Sequence, residues 1–414
     1  MPRPISILLI ALMCGFICTP GIAWIAGVAG GGSALENRTL RDPPAATAAS
    51  LWDGSFGRGV SDWVWDRIPL RDTFLRLDHR IDAELFGDSP VFAVVAGRED
   101  FLFVREKIIQ GVSPARSLRA VTAIEEAFRA AGVPFVLVIS PTKADLYPEL
   151  LPEDYQAIFR GTVQPLSDAL EAHANKGRGL LNLWGPLRAE KARLRTATDV
   201  PSPRLRWLFR PHDLHWNLET GRVQAREIVR AIEPSLWDER YAPLLGTEIV
   251  YAESEIKRIY LKIGPDEPYR SFLPNPLVTL TRKRARLKPT GAVLRYHAVG
   301  TGEFQPDPRR LVVIRDSFLS SGDPTPVAAQ DGGIQTLASF FADSAFIHLD
   351  SAIGNPSGVA SELQGADVVV LQVVQANLGN LVVHHKKLVA VAGKLRKPAA
   401  SATPAAPPAA AREK

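Results

Sequence analysis

With 414 residues, 46% of them apolar and 22% charged, the chain has the make-up of a globular protein able to bury one large core or two ordinary ones. A net charge of +5 over that length, with acidic and basic residues interleaved, gives no ground for a nucleic-acid partner, and none is expected. Both cysteines, Cys14 and Cys18, lie in the first apolar stretch, so the rest of the chain has no thiol for a nucleophile, a disulfide or a thiolate metal site.

Residues 5–32 contain no charged side chain, and the stretch exceeds the roughly 20 residues that a membrane span requires. Arg3 just before it predicts a cytoplasmic N-terminus with the remainder exported. The expectation is an uncleaved membrane anchor over 1–32; its rival is a signal peptide cut near the small residues Ala26–Gly30. Residues 33–58, rich in Gly, Ala and Pro, are expected to form a flexible linker, 59–396 the folded domain, and 397–414, an Ala/Pro/Ser tail, a disordered end.

Within the domain, Trp63–Leu85 reads as helix and Val91–Val104 as short strands around Gly97. Arg116–Ala131 sets Leu118, Val121, Ile124 and Phe128 on one helical face, with Gly132 as the cap. Val133–Ile139, apolar and β-branched, predicts a buried strand. The alternation continues with a helix at Pro165–Ala174, a strand at Leu180–Trp184 and a helix at Leu218–Ile232. Arg284–Gly300 is β or irregular, and strands follow at Leu311–Ile314, Ala345–Leu349 and Asp367–Val373, with a last helix over Asn377–Leu395. Repeated strand–helix units with wholly apolar strands predict an α/β fold, a mainly parallel sheet covered on both faces.

The chemistry centres on Asp213-Leu-His215-Trp216. Residues two apart can project to one side, so Asp213 can accept a hydrogen bond from His215, fix its tautomer and leave the other ring nitrogen as a base. A nucleophile for that base stands at Ser317, where the apolar strand Leu311–Ile314 breaks into a polar turn at the carboxyl edge of the sheet. Ser89, in Gly87-Asp88-Ser89, is the rival serine but lacks that setting. His212 is a second possible base, and Trp216 is either core or the wall of a pocket. Read blandly, Ser317 caps a helix and His215 is a loop histidine. A metal site built from Asp213, His215, His384 and His385 ranks last, and neither metal nor cofactor is expected. The basic run Arg282–Lys288 reads first as a charge-protected strand edge and second as a groove for an anionic polymer.

The chain resembles the AlgJ/AlgX type of alginate O-acetyltransferases, a group of SGNH-hydrolase-like proteins. The matching features are the apolar N-terminus, Glu36-Asn-Arg38, Gly97–Phe103, Pro141-Thr-Lys143, Tyr147-Pro-Glu and Leu151-Pro152, followed by Asp213-Leu-His215-Trp216 and Asp316-Ser317-Phe318. They span about residues 36–375 in the family's order. The resemblance implies an SGNH-hydrolase-like, flavodoxin-like three-layer sandwich in which Ser317 is nucleophile, His215 general base and Asp213 its orienter. Trp216, Lys143 and Arg315 become the substrate-binding candidates. It further implies a protein on the periplasmic face of a bacterial inner membrane that acetylates an exopolysaccharide with acetyl groups delivered by a membrane-bound O-acyltransferase partner. Arg315 replaces the Gly that many SGNH enzymes carry before Asp-Ser, and Val373–Asn377 lacks the Glu-Arg pair of the family. With no room after residue 395 for a carbohydrate-binding module, the chain is nearer the AlgJ plan. The same triad with water as acceptor would make an acetylesterase, and a non-catalytic, membrane-anchored scaffold is the reading from another class. Backbone amides at and just after Ser317 are the expected oxyanion donors.

Overall fold

The computed structural model describes residues 42–67, 93–177, 179–198, 200, 202–252, 256, 267–273, 275–287, 291–319 and 332–395, with scattered positions between 7 and 39. The chain divides into two compact units. One comprises Met1–Arg105 with Glu253–Glu267, the other Glu106–Ala252 with Pro268–Lys414.

In the first unit, helices at Ala48–Trp52 and Ser55–Arg67 begin inside the expected linker. Thr47 starts the first of them by accepting from the Ser50 amide, a capping box that outweighs the Gly/Ala/Pro composition. Strands Val94–Ala96 and Leu102–Val104 pair antiparallel around the expected turn at Gly97. The anchor expected at 1–32, most of the helix expected to Leu85, Ser89 and the tail 397–414 lie wholly or largely outside the described residues. Among the described residues no helix is long and apolar enough to cross a membrane.

The second unit holds a seven-stranded mixed sheet. Its strands are β1 (Phe135–Ser140), β2 (Leu180–Leu181), β3 (Val278–Arg286), β4 (Ala292–Gly300), β5 (Asp307–Arg315), β6 (Phe341–His348) and β7 (Val368–Val374). The spatial order is β2-β1-β7-β5-β6-β4-β3; the first five run parallel, β4 is antiparallel to β6, and β3 is antiparallel to β4. The basic run thus falls on the edge strand β3, where Arg282, Lys283, Arg284 and Arg286 are exposed, the position at which charge discourages pairing with another chain.

Helices cover both faces. On one side α1 (Pro114–Ala131) and the final helix Leu378–Gly393 pack over a row set by strand register: Leu137, Leu371, Ile314, Ile347 and Val293 lie side by side across five strands, all fully buried. Gly132 closes α1 at φ 72°, the left-handed conformation that glycine adopts without cost. Leu371→Ala in the middle of that row is expected to cost about 2–5 kcal/mol, measured by urea denaturation. On the other side lies Leu218–Ile232, whose Gln224 reaches Ser140 at the end of β1.

The expected strand at Leu180–Trp184 is only two residues long. Asn182 Oδ1 accepts from the amides of Trp184 and Gly185 and turns the chain into a helix, Trp184–Thr196, that apolar patterning alone does not reveal. Helix Glu153–Thr162 also lies outside the expectations; of its side chains only Phe159 is buried.

Candidate functional site

The turn that follows β5 meets the end of β7 and the loop that precedes helix Leu218–Ile232. After β5 comes Asp316-Ser317-Phe318. Asp316, 3% exposed, binds the Phe318 amide through Oδ1 at 2.9 Å and the Val374 amide and Asn377 Nδ2 through Oδ2, so it ties the serine turn to the end of β7. The Asp316 amide donates to Gln372 Oε1 at 3.2 Å, and Gln372 Nε2 donates to Ser140 Oγ at 2.9 Å. Gln372 is the one polar side chain in the wholly buried Val368–Val374, a signal the sequence carried. Gln372→Leu removes the acceptor of a buried amide and is expected to destabilise by about 1–3 kcal/mol, read from a denaturation midpoint. The amide just after Ser317, expected as an oxyanion donor, is committed to Asp316.

The second loop, Leu208–Asn217, is closed at its neck by the Asn217 amide on Leu208 O at 2.8 Å and by a bridge between Phe209 and Trp216. Tyr147 receives the Leu208 amide at 2.8 Å; burial pushes its phenol well above the usual range. Asn217 then caps Leu218–Ile232 by accepting from the Thr220 amide. The loop delivers His215 to Ser317, with Nε2 2.9 Å from Oγ. Behind the ring, Asp213 Oδ1 lies 2.9 Å from the His215 amide and 3.5 Å from Nδ1, while Oδ2 meets Arg210 Nη2 at 2.6 Å. Burial raises the Asp213 pKa, but the Arg210 charge and the His215 contacts outweigh it and hold the carboxyl well below its usual range. A serine hydroxyl in contact with an imidazole backed by an ionised carboxylate can lose its proton to the ring.

Trp216, 1% exposed, donates from Nε1 to Phe318 O at 2.7 Å and packs edge-on against the Phe318 ring. Neighbouring residues of one loop thus hold neighbouring residues of the other, and the indole is part of the core. Lys143, 6% exposed, donates from Nζ to the carbonyls of Arg210 and Pro211, both at 2.9 Å. Arg315 donates to Asp316 O at 3.2 Å and lies in register with His348 on β6, whose pKa burial and the Arg315 charge depress. His212 is buried at 1% exposure. Among the described residues no His, Cys, Asp and Glu gather into a metal site, so His384 and His385 do not join Asp213 and His215. Sequence reasoning missed Arg210, whose only signal was its place one turn before Asp213.

The fold is that of an SGNH-hydrolase-like α/β protein. Residues 94–253 match the family described as "SGNH hydrolase-like domain, acetyltransferase AlgX", a stretch that includes Asp213 and His215 and ends before Ser317. The chain is 23% identical over 286 residues to the "Probable alginate O-acetylase AlgJ" of Pseudomonas syringae pv. tomato, covering 67% of this chain and 65% of that one. It is 22% identical over 191 residues to the protein of the same name from Pseudomonas fluorescens, covering 44% of each. The O-acetyltransferase domain of Pseudomonas putida AlgJ superposes with a TM-score of 0.43 at 16% identity, over 69% of this chain and 92% of that domain. Over these stretches the chain is similar to the AlgJ/AlgX-like acetyltransferases.

Proposed function

We propose that the protein is an O-acetyltransferase acting on hydroxyls of an alginate-like exopolysaccharide. The observation that carries this reading is the 2.9 Å approach of His215 Nε2 to Ser317 Oγ, across 102 residues of sequence, with Asp213 behind the ring. Ser317 Oγ attacks the carbonyl carbon of an acetyl donor as His215 takes its proton. The donor's leaving group departs with that proton, and the acetyl group stays on Ser317 as an ester. A sugar hydroxyl then gives its proton to His215 and attacks the ester, and Ser317 recovers the proton as the acetylated sugar leaves.

Residues 1–32 hold the protein at the periplasmic face of a bacterial inner membrane, where a membrane-bound O-acyltransferase partner supplies the acetyl group. The uncharged run 5–32 supports this placement. The test is intact-mass spectrometry of the full-length protein in detergent after incubation with a chromogenic acetyl ester. A gain of one acetyl group that Ser317→Ala abolishes is the expected result. Adding an oligosaccharide should then move the acetyl group to sugar; release only as acetate would make the protein an esterase, and no adduct on wild type would move the reading to a scaffold.

A further inference from the structure

Both halves of the site converge on one short segment, Thr142–Asp145, at the end of β1. On one side Lys143 Nζ holds the carbonyls of Arg210 and Pro211, two to five residues before Asp213 and His215. On the other, Asp145 Oδ1 accepts from Ser167 Oγ and from Gln375 Nε2, and Gln375 also donates to Ser167 at 2.8 Å. Gln375 begins the turn Gln375–Asn377, and its flanking Val374 and Asn377 grip Asp316 beside Ser317. The turn is itself fixed by a capping box in which Thr142 and Asp145 bind each other's backbone. A hydrogen-bonded path therefore runs from the serine turn through Asp145 and Lys143 to the base loop, and closes at the contact of His215 with Ser317.

We propose that Lys143 is a positioning residue for the acetyl transfer: its ammonium sets the base loop against the serine turn and acts through His215 rather than on substrate. The inference rests on the reading of Ser317 and His215 given above. A lysine that met substrate would carry its charge toward the open side of the site, whereas this one is almost wholly buried with its ammonium on two main-chain oxygens. A carbonyl pair in a loop without regular structure needs such a donor to keep one conformation. Because the pair lies just before the general base, a shift of the loop is a shift of His215 Nε2 relative to Ser317 Oγ.

The experiment measures acetylation of the full-length protein by the same ester at several concentrations, in wild type, Lys143→Met and Lys143→Gln, with melting temperatures alongside. Lys143→Met is expected to lower the saturating acetylation rate about 10- to 100-fold, the scale on which displacement by an ångström acts, with the half-saturating ester concentration within about twofold of wild type. Lys143→Gln, which keeps a donor, should fall between the two. If the methionine variant does not fold, the glutamine variant decides alone, and a wild-type rate from it overturns the inference. An unchanged saturating rate with a raised half-saturation would instead make Lys143 a substrate-binding residue. No acetylation of wild type would sink the reading of Ser317 itself, a separate outcome.

Discussion

Ser317→Ala is expected to lower turnover of an acetyl ester by about 10⁴ to 10⁶ and to abolish the acetyl-enzyme, because it removes the hydroxyl that stands 2.9 Å from His215 Nε2. The variant should fold normally. Ser317 is half-buried, and its loss leaves the ties of the turn in place: Asp316 to Phe318 and Val374, and Trp216 to Phe318. Residual activity above the uncatalysed rate would come from substrate binding and from whatever donors meet the oxyanion. The measurement pairs chromophore release with intact mass at matched protein concentrations. Activity within tenfold of wild type, in a protein with an unchanged melting temperature, would falsify the assignment of Ser317 and return the serine to the bland reading of a helix cap.

Much of this site was legible in the chain because its parts sit where an apolar period stops. Ser317 follows the run Leu311–Ile314, and the Asp213–His215 pair precedes an amphipathic helix whose extent, Leu218–Ile232, matches the one read from the sequence. The buried strands were legible for the same reason: Val368–Val374 is almost uniformly apolar, and only a strand covered on both faces needs that. What the sequence hid is chemistry in which one side chain serves the backbone of a distant loop. Lys143 is 67 residues from the carbonyl of Arg210, and Trp216 is 102 residues from that of Phe318. No spacing rule links such positions: the resemblance made both residues substrate-binding candidates, and for Trp216 the sequence left core and pocket wall both open. Helix Trp184–Thr196 was hidden differently: the chain enters it through a local turn in which Asn182 Oδ1 accepts from the Trp184 and Gly185 amides.

Asp213→Asn is expected to be nearly as damaging as Ser317→Ala, and for two separable reasons. The first is tautomeric. Asp213 Oδ1 faces His215 Nδ1 at 3.5 Å, and only an acceptor there keeps Nε2 free to receive the Ser317 proton. An amide can present its NH₂ to the ring and reverse the tautomer, which costs about 10⁴ in kcat in a serine triad of known mechanism. The long resting distance does not weaken the argument, since the contact gains strength as the imidazolium forms in the transition state. The second is the ion pair. Arg210 is buried with its guanidinium 2.6 Å from Asp213 Oδ2, and neutralising the carboxylate strands that charge at an expected cost of about 3–5 kcal/mol. Because the Asp213 pKa is depressed in the folded protein, its contribution to stability is complete above its ordinary value of 3.8 and is lost as pH falls below it toward the folded value. The stability difference between wild type and Asp213→Asn should therefore be flat from neutral pH down to about pH 5 and shrink in more acidic solution. The double variant Arg210→Met with Asp213→Asn separates the effects: removal of the stranded cation should restore much of the stability while kcat stays low. Recovery of both together would mean that Asp213 serves the fold alone and that His215 needs no carboxylate behind it.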